Sequence, residues 1–267
     1  PEGVYFITRK IKQKLDFMEY GPHAFALNYP NPADRVRQKT GGGIWLHSKG
    51  QSITGLTTRG CLAIEQEDIQ SLLPLLTPGR PVLVAEHLSG VPFEARPSPI
   101  NIPEAAHHTQ ADLLPPPALL PQGNTSVFSA SGEVCPVASS ENCPPSQISS
   151  TIQEETEIQR LSTQWIQSWN QGNTNITELY HPELFPVGNR EKNAHLHRRM
   201  LNDFRRLTGR HADESGIQLL EGPGYWVSAF PKSYRNGKIH HQGLQVLYWM
   251  PGKQEPYAII GEVWIEQ

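Results

Sequence analysis

The sequence predicts two domains. A mainly-β domain occupies residues 1–90 and an α+β domain residues 151–267, with a Pro/Ser-rich linker over 91–150. Three observations carry this reading. A chain of 267 residues is long for one domain and suits two small ones. Short apolar runs between turn residues fill the first ninety positions, and helical then strand periodicity fills the last part. Between them periodicity disappears: residues 91–150 hold 11 of the 24 prolines and a single basic residue, Arg96.

In the first segment, Val4–Ile7, Ala24–Leu27, Ile44–Leu46 and Pro81–Val84 read as strands. Gly41-Gly42-Gly43 precedes the third, where the backbone needs freedom or close approach. From Glu67 to Leu76, Ile69, Leu72, Leu73 and Leu76 recur at helical spacing, and Pro78-Gly79 stops the helix. In the last segment, Ile158, Leu161, Trp165, Ile166 and Trp169 form a helical stripe within Ile152–Trp169, which ends at Asn170-Gln171-Gly172-Asn173. A second helix is expected from about Glu191 to Leu207. Strands follow at Ile217–Leu220, Tyr225–Phe230, Gly243–Met250 and Tyr257–Ile265, with hairpin signals at Asn236-Gly237 and Pro251-Gly252. Helices followed by an antiparallel meander make an α+β domain.

Composition narrows the function classes. The net charge is −3, which gives no positive excess for nucleic acid. No run of eighteen apolar residues exists to span a membrane. Residues 1–90 carry ten basic and eight acidic groups, so this half is mildly basic and suits a carboxylate-bearing substrate. The chain opens at Pro1 without a charged-then-apolar leader, so no signal peptide is present in it; it reads as a mature or trimmed product.

Chemistry concentrates around Gly43-Ile44-Trp45-Leu46-His47-Ser48 and Thr57-Thr58-Arg59-Gly60-Cys61. A thiol is a poor nucleophile until deprotonated, and an imidazole nearby favours the thiolate. His47 closes an apolar strand, where a rigid element holds it. The Ser48 carbonyl is available to fix its tautomer. Gly60 permits a tight turn before Cys61, and the amides of Gly60 and Cys61 can face a developing oxyanion. The alternative is a buried apolar cysteine and an accidental pairing. Zinc would want three or four ligands, and His23 is the one further candidate here, so neither metal nor cofactor is expected. Cys135 and Cys143 either pair as a clip in an oxidising compartment or remain idle thiols.

Together and in this order, Pro1-Glu2-Gly3-Val4-Tyr5, Gly43–His47 and Thr58-Arg59-Gly60-Cys61 resemble the YkuD-type L,D-transpeptidase catalytic domain, over residues 1–87. The resemblance implies Cys61 as nucleophile, His47 as base, the Ser48 backbone as orienter and Gly60 as part of the oxyanion hole. It implies a peptidoglycan stem peptide as substrate and a periplasmic or cell-envelope location. Three departures stand out. Ala63 replaces the family's Arg or Asn two places after the Cys, the His-to-Cys gap is short, and strands that precede the Pro-x-Gly segment are expected to be missing. Arg59 either takes over the substrate carboxylate or is a solvated loop charge. Thr58 beside it is a further candidate for substrate binding.

Leu27-Asn28-Tyr29-Pro30-Asn31-Pro32 resembles a segment of a branch that includes L,D-carboxypeptidases, which makes Asn28 and Tyr29 candidates for the donor pocket; the other reading is a turn built from Asn and Pro. Trp165, Trp169-Asn170, Gly172 and Leu179-Tyr180 resemble the first helix, and the turn after it, of a nuclear-transport-factor-like (SnoaL-like) cone, whose curved antiparallel sheet the later strands would form. Trp165, Trp169, Trp226, Trp249 and Trp264 read as core, and His195, His197, His211, His240 and His241 as surface. The function expected is an L,D-transpeptidase-family cysteine acyltransferase acting on the diaminopimelate–D-Ala bond of stem tetrapeptides. The alternatives are an L,D-carboxypeptidase, a catalytically inactive wall-binding protein, and a cleaver of protein-to-wall links. Oligomeric state is not legible.

Overall fold

The computed structural model describes residues 2–55, 58–85, 126–128, 134–136, 145–182, 204–252 and 255–267. In chain order the first segment contains β1 (Gly3–Lys10), α1 (Phe17–Tyr20), β2 (Ala24–Leu27), α2 (Pro32–Val36), β3 (Trp45–His47), β4 (Leu62–Ala63), α3 (Gln66–Leu72) and β5 (Pro81–Val84). The middle holds β6 (Ser126–Phe128) and β7 (Val134–Pro136). The last part holds α4 (Pro145–Gln171), a 3-10 helix over Thr174–Leu179, then β8 (Thr208–Ala212), β9 (Gln218–Gly222), β10 (Tyr225–Asn236), β11 (Ile239–Pro251) and β12 (Tyr257–Glu266).

The N-terminal strands form a five-stranded sheet in the order β4-β3-β2-β1-β5. Successive residues of β1 point to opposite faces, and both faces are covered. Tyr5 and Ile7 join Phe25, Leu27, Leu46 and Ile69 in one core, while Val4 and Phe6 enter another with the C-terminal strands. The helix expected over 67–76 is shorter, because α3 ends at Leu72, which is 39% exposed, and turns carry Leu76 back to the core. Gly41 and Gly43 adopt φ +94° and +71°, and an added Cβ at either would meet nothing within 4 Å. That triplet supplies conformational freedom, not close approach.

The C-terminal strands form a second sheet, β12-β11-β10-β8, with β9 also paired to β10. It curls into a half-barrel, bent at register shifts within both the β10–β8 and β11–β12 pairings. The β10–β11 hairpin pairs Asn236 with Ile239 across Gly237, at φ +62°, and Lys238. Alternation sorts the side chains of β10: Trp226 and Phe230 face α4, whereas Tyr225, Val227 and Ala229 face the N-terminal segment. This sheet is therefore buried on both sides. Pro1–Glu86 and Glu154–Gln267 cluster as one compact unit; His87–Gln153 is the other. Within that second unit β6 and β7 pair antiparallel, Val127 opposite Cys135, in the stretch read from the sequence as a Pro/Ser-rich linker. Cys143 and the side chain of Cys135 lie outside the described residues, as does the expected helix up to residue 203.

Candidate active site

His47 ends β3, the strand flanked by β2 and β4. Its register partners are Ala24 on one side and Ala63 on the other. Paired residues in adjacent strands share a face, so two methyl groups flank the imidazole and leave it room. Cys61 stands two places before Ala63 and immediately before β4, so its parity matches that of His47. The short parallel pairing of β3 with β4 is what brings the two segments together, fixed by Ile64 N–H donating to the His47 carbonyl at 3.0 Å.

His47 is buried, and its Nδ1 lies 2.6 Å from the carbonyl oxygen of Ser48. A carbonyl can only accept, so Nδ1 carries the proton and Nε2 is left as the basic nitrogen. Burial lowers the affinity of His47 for a second proton. The Ser48 carbonyl opposes that, Lys49 reinforces it and Glu19 opposes it more weakly. The net result is an imidazole that stays neutral below its ordinary range.

Cys61 is half-buried, with Sγ 3.6 Å from the Gly43 carbonyl. The loop before it is tied by Thr58, whose hydroxyl donates to the Cys61 carbonyl at 2.8 Å. Gly60 has φ +122°, a region closed to L side chains, and its amide makes only a long 3.4 Å contact to the Thr58 hydroxyl. Arg59 and Thr58 are exposed beside the thiol.

Tyr29 and Asn28 are placed differently. The Tyr29 hydroxyl reaches the Thr40 carbonyl at 3.4 Å, and its ring lies 5.9 Å from that of Tyr5. Asn28 spends both ends of its amide on the fold: Oδ1 accepts from Phe6 N–H, and Nδ2 donates to the Tyr248 hydroxyl, each at 2.8 Å. Asn31 caps α2 and bonds the Val4 carbonyl and the Tyr225 hydroxyl, at 3.1 and 3.2 Å. Among the described residues no group of three or more His, Cys, Asp or Glu gathers as a metal ion would need.

Sequence reasoning missed two residues. Tyr20, at the end of α1, lies 5.2 Å from His47 and 5.4 Å from Trp45, ring centre to ring centre. Lys232 on β10 is 8% exposed and sits under a cavity of about 350 Å³ lined by Trp169, Tyr234, Gln245, Glu262 and Trp264. Its ammonium lies 4.2 Å from the Trp169 ring centre and 4.9 Å from that of Trp264, and contacts the Gln245 side-chain oxygen. Burial pulls it down to about 8, against the attraction of Glu262. A lysine inside the apolar alternation of β10 was the available signal. Of the five tryptophans expected in the core, Trp165, Trp169, Trp226 and Trp249 are buried, and Trp264 lines the cavity. His211 and His240 are exposed, and His241 pairs with Glu266 at 2.9 Å; His195 and His197 lie outside the described residues.

No curated protein matches the sequence. Among solved structures, Bd1075 from Bdellovibrio bacteriovorus aligns at 20% identity and a TM-score of 0.54, over 100% of this chain and 77% of that one. The helical cell shape determining protein Pgp2 from Campylobacter jejuni aligns at 20% identity and a TM-score of 0.48, over 98% of this chain and 74% of its own. At such identity the likeness to Bd1075 is one of fold. Residues 1–84 match the model of the L,D-transpeptidase catalytic domain YkuD, and that stretch contains both the His47 strand and the Cys61 loop. Over those residues the chain is similar to the YkuD family of L,D-transpeptidase catalytic domains.

Proposed function

We propose that the protein is a cysteine acyltransferase that cuts the bond between diaminopimelate and D-Ala in stem tetrapeptides of peptidoglycan, in the cell envelope. The observation that carries the reading is the His47 imidazole, anchored through Nδ1 to the Ser48 carbonyl on a strand whose parallel neighbour begins just after Cys61. His47 Nε2 takes the thiol proton, and the thiolate attacks the carbonyl of the L-centre. The Gly60 and Cys61 amides receive the oxyanion. Collapse expels D-Ala, whose nitrogen takes the proton back from His47, and a thioester remains on Cys61. An acceptor amine then completes a transpeptidation, or water a carboxypeptidation. Arg59 and Thr58 are assigned to the substrate side, with Tyr29 at its edge. Asn28 acts on that wall through the backbone it holds.

Ala63 favours the hydrolytic outcome as the second reading. It puts a methyl group next to His47 where the family places a charged or amide side chain. In the C-terminal segment, which we read as a nuclear-transport-factor-like cone, the Lys232 cavity favours an added wall-binding role through an anionic group.

The test is mass spectrometry of disaccharide-tetrapeptide incubated with the protein or its Cys61→Ala variant, with and without a free D-amino acid. Tripeptide alone marks a carboxypeptidase; exchanged tetrapeptide or cross-linked dimer marks a transpeptidase. Turnover by Cys61→Ala would sink the mechanism, and no Cys61-dependent change would leave only binding.

A further inference from the structure

Helix α1 is one turn long, yet it is held firmly. The Asp16 carboxylate accepts from Glu19 N–H at 3.0 Å, and Gly21 N–H donates to the Phe17 carbonyl at 2.8 Å. Its contacts run along the segment that carries the base. A Cβ on Gly21 would stand 2.2 Å from the Ser48 hydroxyl and 3.0 Å from the Ser48 carbonyl carbon. A Cβ on Gly50 would stand 2.6 Å from the Phe17 ring. Between these two close approaches the Tyr20 ring meets the His47 imidazole at 60°. It meets Trp45, two places earlier on the same face of β3, at 55°.

We propose that Tyr20 is the positioning residue that holds the His47 imidazole in its working orientation, a role that rests on the Cys61–His47 reading above. One hydrogen bond, from Nδ1 to the Ser48 carbonyl, fixes one corner of the ring and leaves rotation about that axis open. The Tyr20 edge contact closes it, backed by Trp45. Burial first, then Glu19 and Cys61, raise the Tyr20 hydroxyl above its ordinary value against the opposing effect of Arg59, so it stays a neutral phenol. The ring does the positioning and the hydroxyl is dispensable.

The test compares the full chain with Tyr20→Ala, Tyr20→Leu, Tyr20→Phe and His47→Ala. It measures the pH dependence of Cys61 alkylation by iodoacetamide, together with kcat and KM on disaccharide-tetrapeptide. In Tyr20→Ala, kcat is expected to fall by about tenfold or more while KM moves little. The apparent pKa of alkylation is expected to shift toward that of His47→Ala. Tyr20→Leu, which keeps apolar bulk and so guards against a folding defect, shows the same shift, and Tyr20→Phe behaves as wild type. Wild-type kcat and alkylation in Tyr20→Leu, or a Tyr20→Phe as impaired as Tyr20→Leu, overturns the proposal. Identical alkylation profiles for wild type and His47→Ala overturn the Cys61–His47 pair itself, and this role with it.

Discussion

The chemistry turns on what His47 is at working pH. Burial disfavours the imidazolium, so the folded-state value lies below 6.5, and the base is available over a wider range than a solvated histidine would be. The acid limb of kcat/KM should therefore fall below pH 6.5. A profile from pH 4.5 to 8 checks this, and a limb above 6.5 would point to another group. The two residues proposed to react stand out in the sequence because a His on an apolar strand and a Gly-Cys loop are local patterns. The work of Asn28 was not. Its partner Tyr248 lies 220 positions away, and no local rule ties an amide to a distant phenol. Lys232 escaped for a related reason: in sequence it is one charge on a strand, and only the curl of the sheet gathers tryptophans around it.

Elements follow the same division. Apolar runs disclosed β1, β2, β3 and β5, and the tryptophan stripe disclosed α4. The two-residue β4 has no pattern of its own, although its pairing with β3 joins the Cys61 segment to the His47 strand. Nor was α2 foreseen, although Asn31, read as a turn residue, begins it with a full capping box: its side chain accepts from Asp34 N–H, and the Asp34 carboxylate accepts from Asn31 N–H. Asn31→Ala removes that cap and the donor to the buried Val4 carbonyl, and leaves the Tyr225 hydroxyl with the Val4 N–H alone of its two donors. It should cost on the order of 2–4 kcal/mol, read as a lower urea midpoint with the slope unchanged.

At the scale of the molecule, Pro1–Glu86 and Glu154–Gln267 make up one compact unit. Val4, Phe6 and Ala33 pack against Val227, Val246, Tyr248 and Ile260, so the N-terminal and C-terminal sheets bury each other's apolar faces. Local periodicity assigns each strand its two faces but does not name the partner that covers them. Stability of the two segments should therefore be joint. Urea unfolding followed by tryptophan fluorescence, which reports mainly the C-terminal core, and by Cys61 accessibility, which reports the N-terminal sheet, should give one coincident transition. Two separated midpoints would show that the segments unfold independently.

The third member of the proposed catalytic group is an atom of the main chain. Replacing Ser48 by alanine leaves its carbonyl where it is, and the side chain it removes is a buried hydroxyl with no hydrogen-bond partner. A side-chain scan across this strand and the thiol loop would thus register His47 and Cys61 and pass over Ser48. Exchange among small residues at position 48 can occur without touching the tautomer of the base, because each brings the same acceptor, whereas a larger side chain would run into Gly21.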